Sequence, residues 1–170
     1  MIVVVNSGPL MALAKLGLLD LLPRLYGQVS LPTAVFVEVV VRGRERGYSD
    51  AFHVQLAIQQ GKIQVLDVND RDLPSDIHDL SLDAGEKQAL YLAQRTKADL
   101  ALFDDEKVRD EAKARGMSVK GTLGVIVEAY RAGVLGFSDV ENTIEAIIDR
   151  EDIWISEELC RRVLSKLKDH

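Results

Sequence analysis

Short apolar runs alternate with amphipathic stretches along most of the chain. Residues 2–5 are four consecutive apolar residues, and residues 98–103 form a second strand-like run. Runs of this length are typical of buried strands, whereas the stretches between them carry apolar residues at helical spacing. This alternation predicts an α/β fold in which helices cover both faces of a parallel sheet.

The remaining elements continue the same alternation. Predicted strands cover residues 28–31, 62–68 and 118–121, and predicted helices cover residues 8–17, 18–27, 49–61, 104–116 and 122–135. A further helix is predicted to open around Asp83 in the segment 80–99. Residues 32–43 have the β-branched composition of a strand, but Pro32 and Thr33 suit the start of a helix, and we predict a helix there. Ser7 is expected to cap the first helix.

The chain changes character near its C-terminal end. Residues 137–170 contain two amphipathic helical patterns and no further strand pattern. We therefore predict an α/β domain over residues 1–135 and a C-terminal α-helical extension over residues 136–170. The extension is expected to pack on the core or on a second subunit, with Trp154 as a packing anchor.

Composition narrows the class of protein. The net charge of −6 argues against a nucleic-acid footprint spread over the whole surface, so only a local basic patch would serve. A single cysteine, Cys160, allows neither an internal disulfide nor a cysteine-based zinc site. The chain lacks a secretory signal pattern and an apolar run of the ~20 residues that a membrane span needs. These features predict a cytoplasmic protein without a membrane partner.

Polar side chains follow two of the predicted strands. Asn6 comes directly after residues 2–5, and Asp104 and Asp105 come directly after residues 98–103. In a parallel sheet, residues at the carboxyl ends of strands face the crevice in which ligands bind. The alternative for Asp104 is that it only caps the next helix.

Two further acids lie in predicted helices. Glu38 is the only charge in the apolar run AVFVEVVV, so it must pair, take up a proton or bind a cation. An ion pair with Arg42, four residues further on, is the alternative to a functional role. Glu86 follows Asp83 by three residues, and this spacing is also that of a capping box.

Asn6, Glu38, Glu86 and Asp104 come from four separate elements. If the fold gathers them, each carboxylate raises the pKa of the others, and a divalent cation would remove that cost. A set of ligands that are all oxygen atoms suits Mg²⁺ or Mn²⁺. Such a site can activate water and stabilise a phosphodiester under attack.

Four stretches together resemble the PIN-domain family: MIVVVNSGPLMALAKLGLLDLL, LPTAVFVEVV, LDAGEKQAL and ADLALFDDEKVRDEAKARGMSVKGTLGVI. They look most like prokaryotic PIN-like proteins that are related to the ribonucleases of toxin–antitoxin pairs. The resemblance covers roughly residues 1–135. It implies a three-layer α/β/α sandwich with a central parallel sheet and an acidic pocket that binds Mg²⁺ or Mn²⁺. It also implies hydrolysis of RNA phosphodiester bonds.

The resemblance also assigns roles to residues. The catalytic acids fall on Glu38, Glu86 and Asp104, with Asp83 as a second candidate for the position of Glu86. The metal ligands fall on Asn6, Glu38, Glu86, Asp104 and Asp105. Asn6 departs from the family pattern, which has an aspartate there; an amide oxygen can ligate a metal but carries no charge.

Basic residues near these acids are candidates for contacts with RNA. The set expected to bind nucleic acid is Ser7, Arg42, Arg44, Arg46, Lys107 and Arg109, and Lys113, Arg115 and Lys120 follow in the same stretch as Arg109. Groups of this kind contact phosphates if they border the pocket, and otherwise form a solvated basic surface. The expected partners are RNA, an antitoxin protein and a second copy of this chain.

Three hypotheses follow. The first is a Mg²⁺- or Mn²⁺-dependent endoribonuclease that acts as the toxin of a toxin–antitoxin pair. The second is a catalytically weakened PIN module that binds RNA or a protein partner, and it is motivated by Asn6. The third is an unrelated magnesium-dependent phosphohydrolase, although the chain lacks an aspartate nucleophile at the end of the first strand.

Overall fold

A computed structural model describes residues 1–169 and shows a parallel sheet between two layers of helices. The strands are β1 (Val3–Val5), β2 (Val29–Pro32), β3 (Ile63–Leu66), β4 (Leu100–Leu102) and β5 (Val119–Lys120). They lie in the order β3-β2-β1-β4-β5, and each neighbouring pair is parallel. The predicted α/β/α sandwich is confirmed.

Helices connect and flank these strands. The first two are α1 (Ser7–Lys15) and α2 (Leu21–Tyr26). Helix α3 is continuous through three segments, Thr33–Phe36, Val37–Arg42 and Gly43–Glu45, of which the middle one is a π-helix. The others are α4 (Ser49–Gln59), a 3₁₀ turn (Asp70–Asp72), α5 (Ser75–His78), α6 (Ala84–Thr96), α7 (Glu106–Ala114), α8 (Thr122–Arg131), α9 (Phe137–Asp149) and α10 (Glu157–Lys168). The helix predicted over residues 32–43 is confirmed.

The strands are apolar throughout because both faces of the sheet are covered. Val3 and Val5 pack in one hydrophobic cluster, whereas Val4 packs in a second cluster on the opposite face. In the same way, Leu102 lies in the first cluster and Ala101 in the second. Successive side chains of a strand point to opposite faces, so a strand buried on both sides reads as a continuous apolar run.

The C-terminal helices pack on the rest of the chain through a third hydrophobic cluster. Ile144 and Leu164 of this extension share the cluster with Ala12 of α1 and with Leu123 and Ile126 of α8. Of the two expected modes of packing, the structure therefore shows packing on the core. The boundary between residues 135 and 136 remains a prediction.

Trp154 is not a packing anchor. Its side chain is 93% exposed, whereas the neighbouring Ile153 is buried in the third cluster. The indole Nε1 donates a hydrogen bond to the backbone oxygen of Glu151, 3.1 Å away. Ile153 therefore makes the packing contact that was predicted for Trp154.

The start of α1 also differs from the prediction. Asn6 occupies the capping position, and its side chain makes no capping hydrogen bond. Ser7 is the first helical residue, so its hydroxyl is directed away from the helix's own backbone and reaches a different element. In residues 1–169, no helix is long and apolar enough to cross a membrane.

Candidate active site

The topology of the sheet fixes where a site can form. β1 lies at the centre, and the chain adds β2 and β3 on one side of it before it adds β4 and β5 on the other. In open parallel sheets of this kind, ligands bind at the carboxyl ends of the two strands where the order reverses. Here those strands are β1 and β4. Asn6 follows β1 and donates its backbone N–H to Leu102 of β4 at 3.0 Å.

The Asn6 side chain is buried and its oxygen is not satisfied. Asn6 is 7% exposed, and among residues 1–169 its Oδ1 has no hydrogen-bond partner. Buried polar atoms are nearly always paired, because an unpaired one retains the cost of its lost hydration. A water or a cation would supply the partner that this oxygen lacks.

Glu38 reaches the start of α1 from α3. Its Oε2 accepts a hydrogen bond from Oγ of Ser7 at 2.5 Å. Thus the partner of Glu38 in the described residues is Ser7 rather than Arg42. A methyl group built on Gly85 would lie 3.4 Å from the same Oε2, so Glu38 also lies against the N-terminal turn of α6.

Asp104 is held by a residue that the sequence analysis missed. Thr122, fully buried at the start of α8, donates its backbone N–H to Oδ1 at 2.7 Å and its hydroxyl to Oδ2 at 2.6 Å. On the other side, a methyl group built on Gly8 would lie 3.5 Å from Oδ2. The motif GT before an apolar helical pattern, KGTLGVI, was the available signal, because a threonine at a helix start exposes both donors to an anion.

Arg109 lies beside Asp104 because Gly121 has no side chain. A methyl group on Gly121 would lie 2.7 Å both from Nη1 of Arg109 and from Oδ1 of Asp104. Burial raises the pKa of Asp104 above its usual range, although the hydrogen bonds from Thr122 and the charge of Arg109 act in the opposite direction. The carboxylate is therefore partly desolvated and also paired with fixed donors.

Glu86 takes part in a capping box. Its Oε2 accepts from the backbone N–H of Asp83 at 3.0 Å, and Oδ1 of Asp83 accepts from the backbone N–H of Glu86 at 2.8 Å. Burial raises the pKa of Glu86, and the hydrogen bond from the Asp83 backbone opposes this change. The negative charges of Asp83, Asp105 and Glu38 raise the pKa further. Glu86 therefore lies near these acids as well as at the helix start.

Asp105 is the cap of α7. Its Oδ1 accepts from the backbone N–H of Lys107 at 2.9 Å. The capping role that the sequence left open for Asp104 therefore belongs to its neighbour. Asp104 instead accepts hydrogen bonds from Thr122 at the start of α8.

The basic candidates lie in different places. Arg42, Arg44 and Arg46 are exposed around the end of α3, and the guanidinium of Arg44 lies over the ring of Phe52. Lys107 donates to the backbone oxygen of Ser81 at 2.8 Å. Of the basic residues predicted to contact nucleic acid, Arg109 is the one that lies beside Asp104. The roles of the others remain predictions.

The oxygen donors at this site are of the kind that a hard cation prefers, but in the described structure their carboxylates do not converge on one point. The donors are the unpaired amide oxygen of Asn6, the Ser7 hydroxyl and the carboxylates of Glu38, Glu86 and Asp104; oxygen ligands of this kind suit Mg²⁺ or Mn²⁺. Within residues 1–169, no group of three or more His, Cys, Asp or Glu side chains is arranged so that it could hold a metal ion. The fit therefore rests on the unpaired amide oxygen and on the chemistry of the donors.

The fold and the site together define an α/β/α protein with Asn6 and Asp104 at the carboxyl ends of two neighbouring parallel strands. The family DUF3368, described as a PIN domain, matches residues 2–169. The chain belongs to the PIN-domain family, whose members are generally nucleases. The match includes the C-terminal helices. A comparison with curated proteins found no match.

The solved structures to which this chain is similar include the following two. The first is a PilT N-terminus domain protein from the hyperthermophilic archaeon Sulfolobus solfataricus P2, with 16% identity and a TM-score of 0.55; the match covers 76% of this chain and 93% of that one. The second is a domain of a functionally unknown protein from Methanocaldococcus jannaschii DSM 2661, with 16% identity and a TM-score of 0.46; here the coverage is 71% and 89%. At this identity, the first structure supports the fold alone.

Proposed function

We propose that this PIN-domain protein is a divalent-metal-dependent endoribonuclease. The observation that carries the proposal is the unpaired, buried Oδ1 of Asn6, because the two residues after it contact Glu38 through Ser7 and Asp104 through Gly8. A buried acceptor without a donor is the environment that a cation would complete. Mg²⁺ or Mn²⁺ would activate a water and stabilise the charge that develops on the phosphodiester.

The residues of the chain have separable tasks in this proposal. Asn6, Glu38 and Asp104 would hold the cation, with Glu86 and Asp105 adding negative charge nearby. Thr122 fixes both oxygens of Asp104, so the carboxylate is oriented before any ligand arrives. Ser7 does the same for one oxygen of Glu38. Arg109 supplies a cation next to Asp104 for a substrate phosphate.

The test is cleavage of a 5′-labelled single-stranded RNA by the purified full chain in Mn²⁺, in Mg²⁺ and in EDTA. We expect cleavage in metal, no cleavage in EDTA, and loss of cleavage in Asp104→Asn and Glu38→Gln. Glu45→Gln is the matched control, because Glu45 is an exposed acid at the end of the same helix as Glu38. Undiminished cleavage in both site variants would remove the proposed site.

Asn6 favours a second candidate function, a weakened PIN module that binds RNA or a protein without efficient cleavage. A neutral ligand loses the attraction that a carboxylate exerts on a dication, and each ~1.4 kcal/mol of net loss weakens binding tenfold. Calorimetric titration with Mn²⁺ separates the candidates. If only Asn6→Asp binds metal and cleaves RNA, the natural chain is the weakened module; if the wild type does both, it is the enzyme.

The toxin role, the antitoxin partner and the homodimer belong to the same proposal. The toxin role and the antitoxin are supported by the resemblance of the four sequence stretches to toxin-related PIN proteins, and the homodimer by the helical extension and the short apolar stretches. Light scattering of the purified chain would measure its oligomeric state directly. Growth arrest on induction, abolished by Asp104→Asn, would support the toxin role, and normal growth with an active nuclease would contradict it.

A further inference from the structure

A groove of about 590 Å³ leads from Asp104 to the C-terminal extension. We call it the tail groove. One wall comes from α7, the floor from β5 and the start of α8, and the other wall from residues 154–163. Representative lining residues are Asp104, Lys113, Lys120, Trp154 and Arg162. The tail groove therefore shares Asp104 with the candidate active site, although Asn6, Glu38 and Glu86 do not line it and the extension contributes none of the predicted site residues.

The far end of the tail groove presents a large, exposed aromatic ring. Trp154 is 93% exposed, and the hydrogen bond from its Nε1 to Glu151 limits rotation of the indole. Leu159, which also lines the tail groove, is 39% exposed. Unpaired nucleic-acid bases stack on aromatic rings that are accessible to solvent, as this one is.

The tail groove is lined by four basic side chains as well as by the acids Asp104, Glu106 and Asp110. Lys113 is exposed, and Arg109 lies next to Asp104. Arg162 pairs with Glu158 at 3.2 Å, but the Glu158 side chain is 84% exposed, so a phosphate can replace it at little cost. The fourth lining cation, Lys120, is already paired with Glu128. Arg109, Lys113 and Arg162 are therefore the cations that, beside the aromatic ring, are complementary to a phosphate backbone with exposed bases.

We propose that the tail groove binds single-stranded RNA, with one unpaired base stacked on Trp154 and backbone phosphates at Lys113 and Arg162. The proposal rests on the proposed function, because it supplies the path by which the strand reaches Asp104. An RNA strand is favoured over a protein segment because the lining of the tail groove combines an exposed aromatic ring with cations and includes Asp104 of the candidate active site. A base-paired duplex would not offer an unstacked base to the ring.

The first experiment uses Trp154 as its own reporter, since it is the only tryptophan in the chain. The wild-type protein is titrated with a ten-nucleotide single-stranded RNA in EDTA, and intrinsic fluorescence is recorded beside the anisotropy of a labelled copy of the RNA. Stacking predicts that fluorescence quenching and anisotropy saturate together. RNA binding without quenching would overturn the proposal, because the strand would then avoid Trp154.

The second experiment compares affinities of matched variants. We expect Trp154→Ala to weaken binding by about 5- to 150-fold, corresponding to ~1–3 kcal/mol per stacked base, and Trp154→Phe to retain most of it. Tyr48→Ala, another exposed aromatic but beside Arg46, tests the competing path along the end of α3. Loss of affinity in Tyr48→Ala but not in Trp154→Ala would overturn the proposal.

Salt dependence tests the phosphate contacts. Arg162→Gln is expected to reduce the slope of log affinity against log salt by about 0.7, the value for one phosphate contact on a single strand. Lys166→Gln, an exposed cation on the same helix that does not line the tail groove, should leave the slope unchanged. Equal slopes for all three proteins would contradict the assignment of Arg162.

Two failures remain distinguishable because all binding is measured in EDTA. If RNA binds with quenching but is not cleaved in Mn²⁺, the proposal that the tail groove binds RNA stands and the proposed nuclease function fails. If RNA is cleaved in Mn²⁺ but Trp154→Ala does not change affinity, the nuclease function stands and the proposal for the tail groove fails. Equal affinity for duplex RNA of the same length would also overturn the single-stranded assignment.

Discussion

Thr122→Val should reveal how much the fold contributes to orienting Asp104. The substitution nearly preserves shape but removes the hydroxyl that donates to Oδ2 at 2.6 Å, whereas the backbone N–H of residue 122 still donates to Oδ1. A hydrogen bond to a charged group contributes about 1.5–3 kcal/mol, and one between neutral groups about 0.5–1.5 kcal/mol. We therefore expect a loss of about 1.5–3 kcal/mol at a pH at which Asp104 is ionised.

The loss should be smaller in acid. Burial already raises the pKa of Asp104 in the folded protein, so stability from this group is fully present below the ordinary aspartate pKa and declines as pH rises through the raised value. Removing the Thr122 hydroxyl raises this pKa further and enlarges the decline. At about pH 3 the carboxyl is protonated in both states, and the loss should fall to about 0.5–1.5 kcal/mol.

Urea unfolding in EDTA, at about pH 3 and at a pH at which Asp104 is ionised, measures both losses from the transition midpoints. Thr122→Ser keeps the hydroxyl and should lie close to the wild type at both values. The double variant with Asp104→Ala should lose the dependence of the Thr122→Val effect on pH. An effect of equal size at both pH values would refute the reasoning, because it would show that the hydroxyl does not distinguish the charged from the neutral carboxyl.

Three other substitutions test the fold and the site. Gly121→Ala places a methyl group 2.7 Å from both Asp104 and Arg109, so we expect loss of RNA cleavage; full activity would contradict the close approach of these groups. Ile144→Ala should cost about 2–5 kcal/mol in a single unfolding transition, and a separate early transition would show that the extension unfolds by itself. Despite the opposing effect of burial, hydrogen bonds from Lys120 and Tyr26 lower the pKa of Glu128, so stability from this group is present near neutral pH and lost in acid. Glu128→Gln should reduce the change in the free energy of unfolding between neutral and acid pH. An unchanged pH dependence in this variant would contradict the prediction.

The sequence was sufficient for the architecture because the relevant signals are local. The apolar runs at residues 2–5 and 98–103 mark strands that are covered on both faces, and the amphipathic stretches mark helices with one buried side. The polar residues that end these two strands, Asn6 and Asp104, could be placed at one edge of the sheet for the same reason. Parallel strands bring their carboxyl ends together whatever their order along the chain.

The partners of these residues could not be predicted, because they come from distant parts of the chain. The tertiary structure decided that Ser7 bonds to Glu38 across 31 positions and that Thr122 bonds to Asp104 across 18. A serine after a strand suits a helix cap as well as a donor to another element, and the local pattern does not separate these roles. Asn6 is the clearest example of what the sequence does not predict, since its oxygen is both buried and unpaired only because of how the surrounding elements pack.

The sequence alone determined that this chain forms a parallel α/β/α sandwich with polar side chains at the ends of its central strands. The tertiary structure alone decided that Trp154 lies exposed in a groove that leads to Asp104, while Ile153 beside it is buried. The physical reason is that the hydrophobicity of a side chain sets only the free energy that its burial would contribute. Which of two adjacent apolar residues is buried depends on the shape of the surface against which the segment packs.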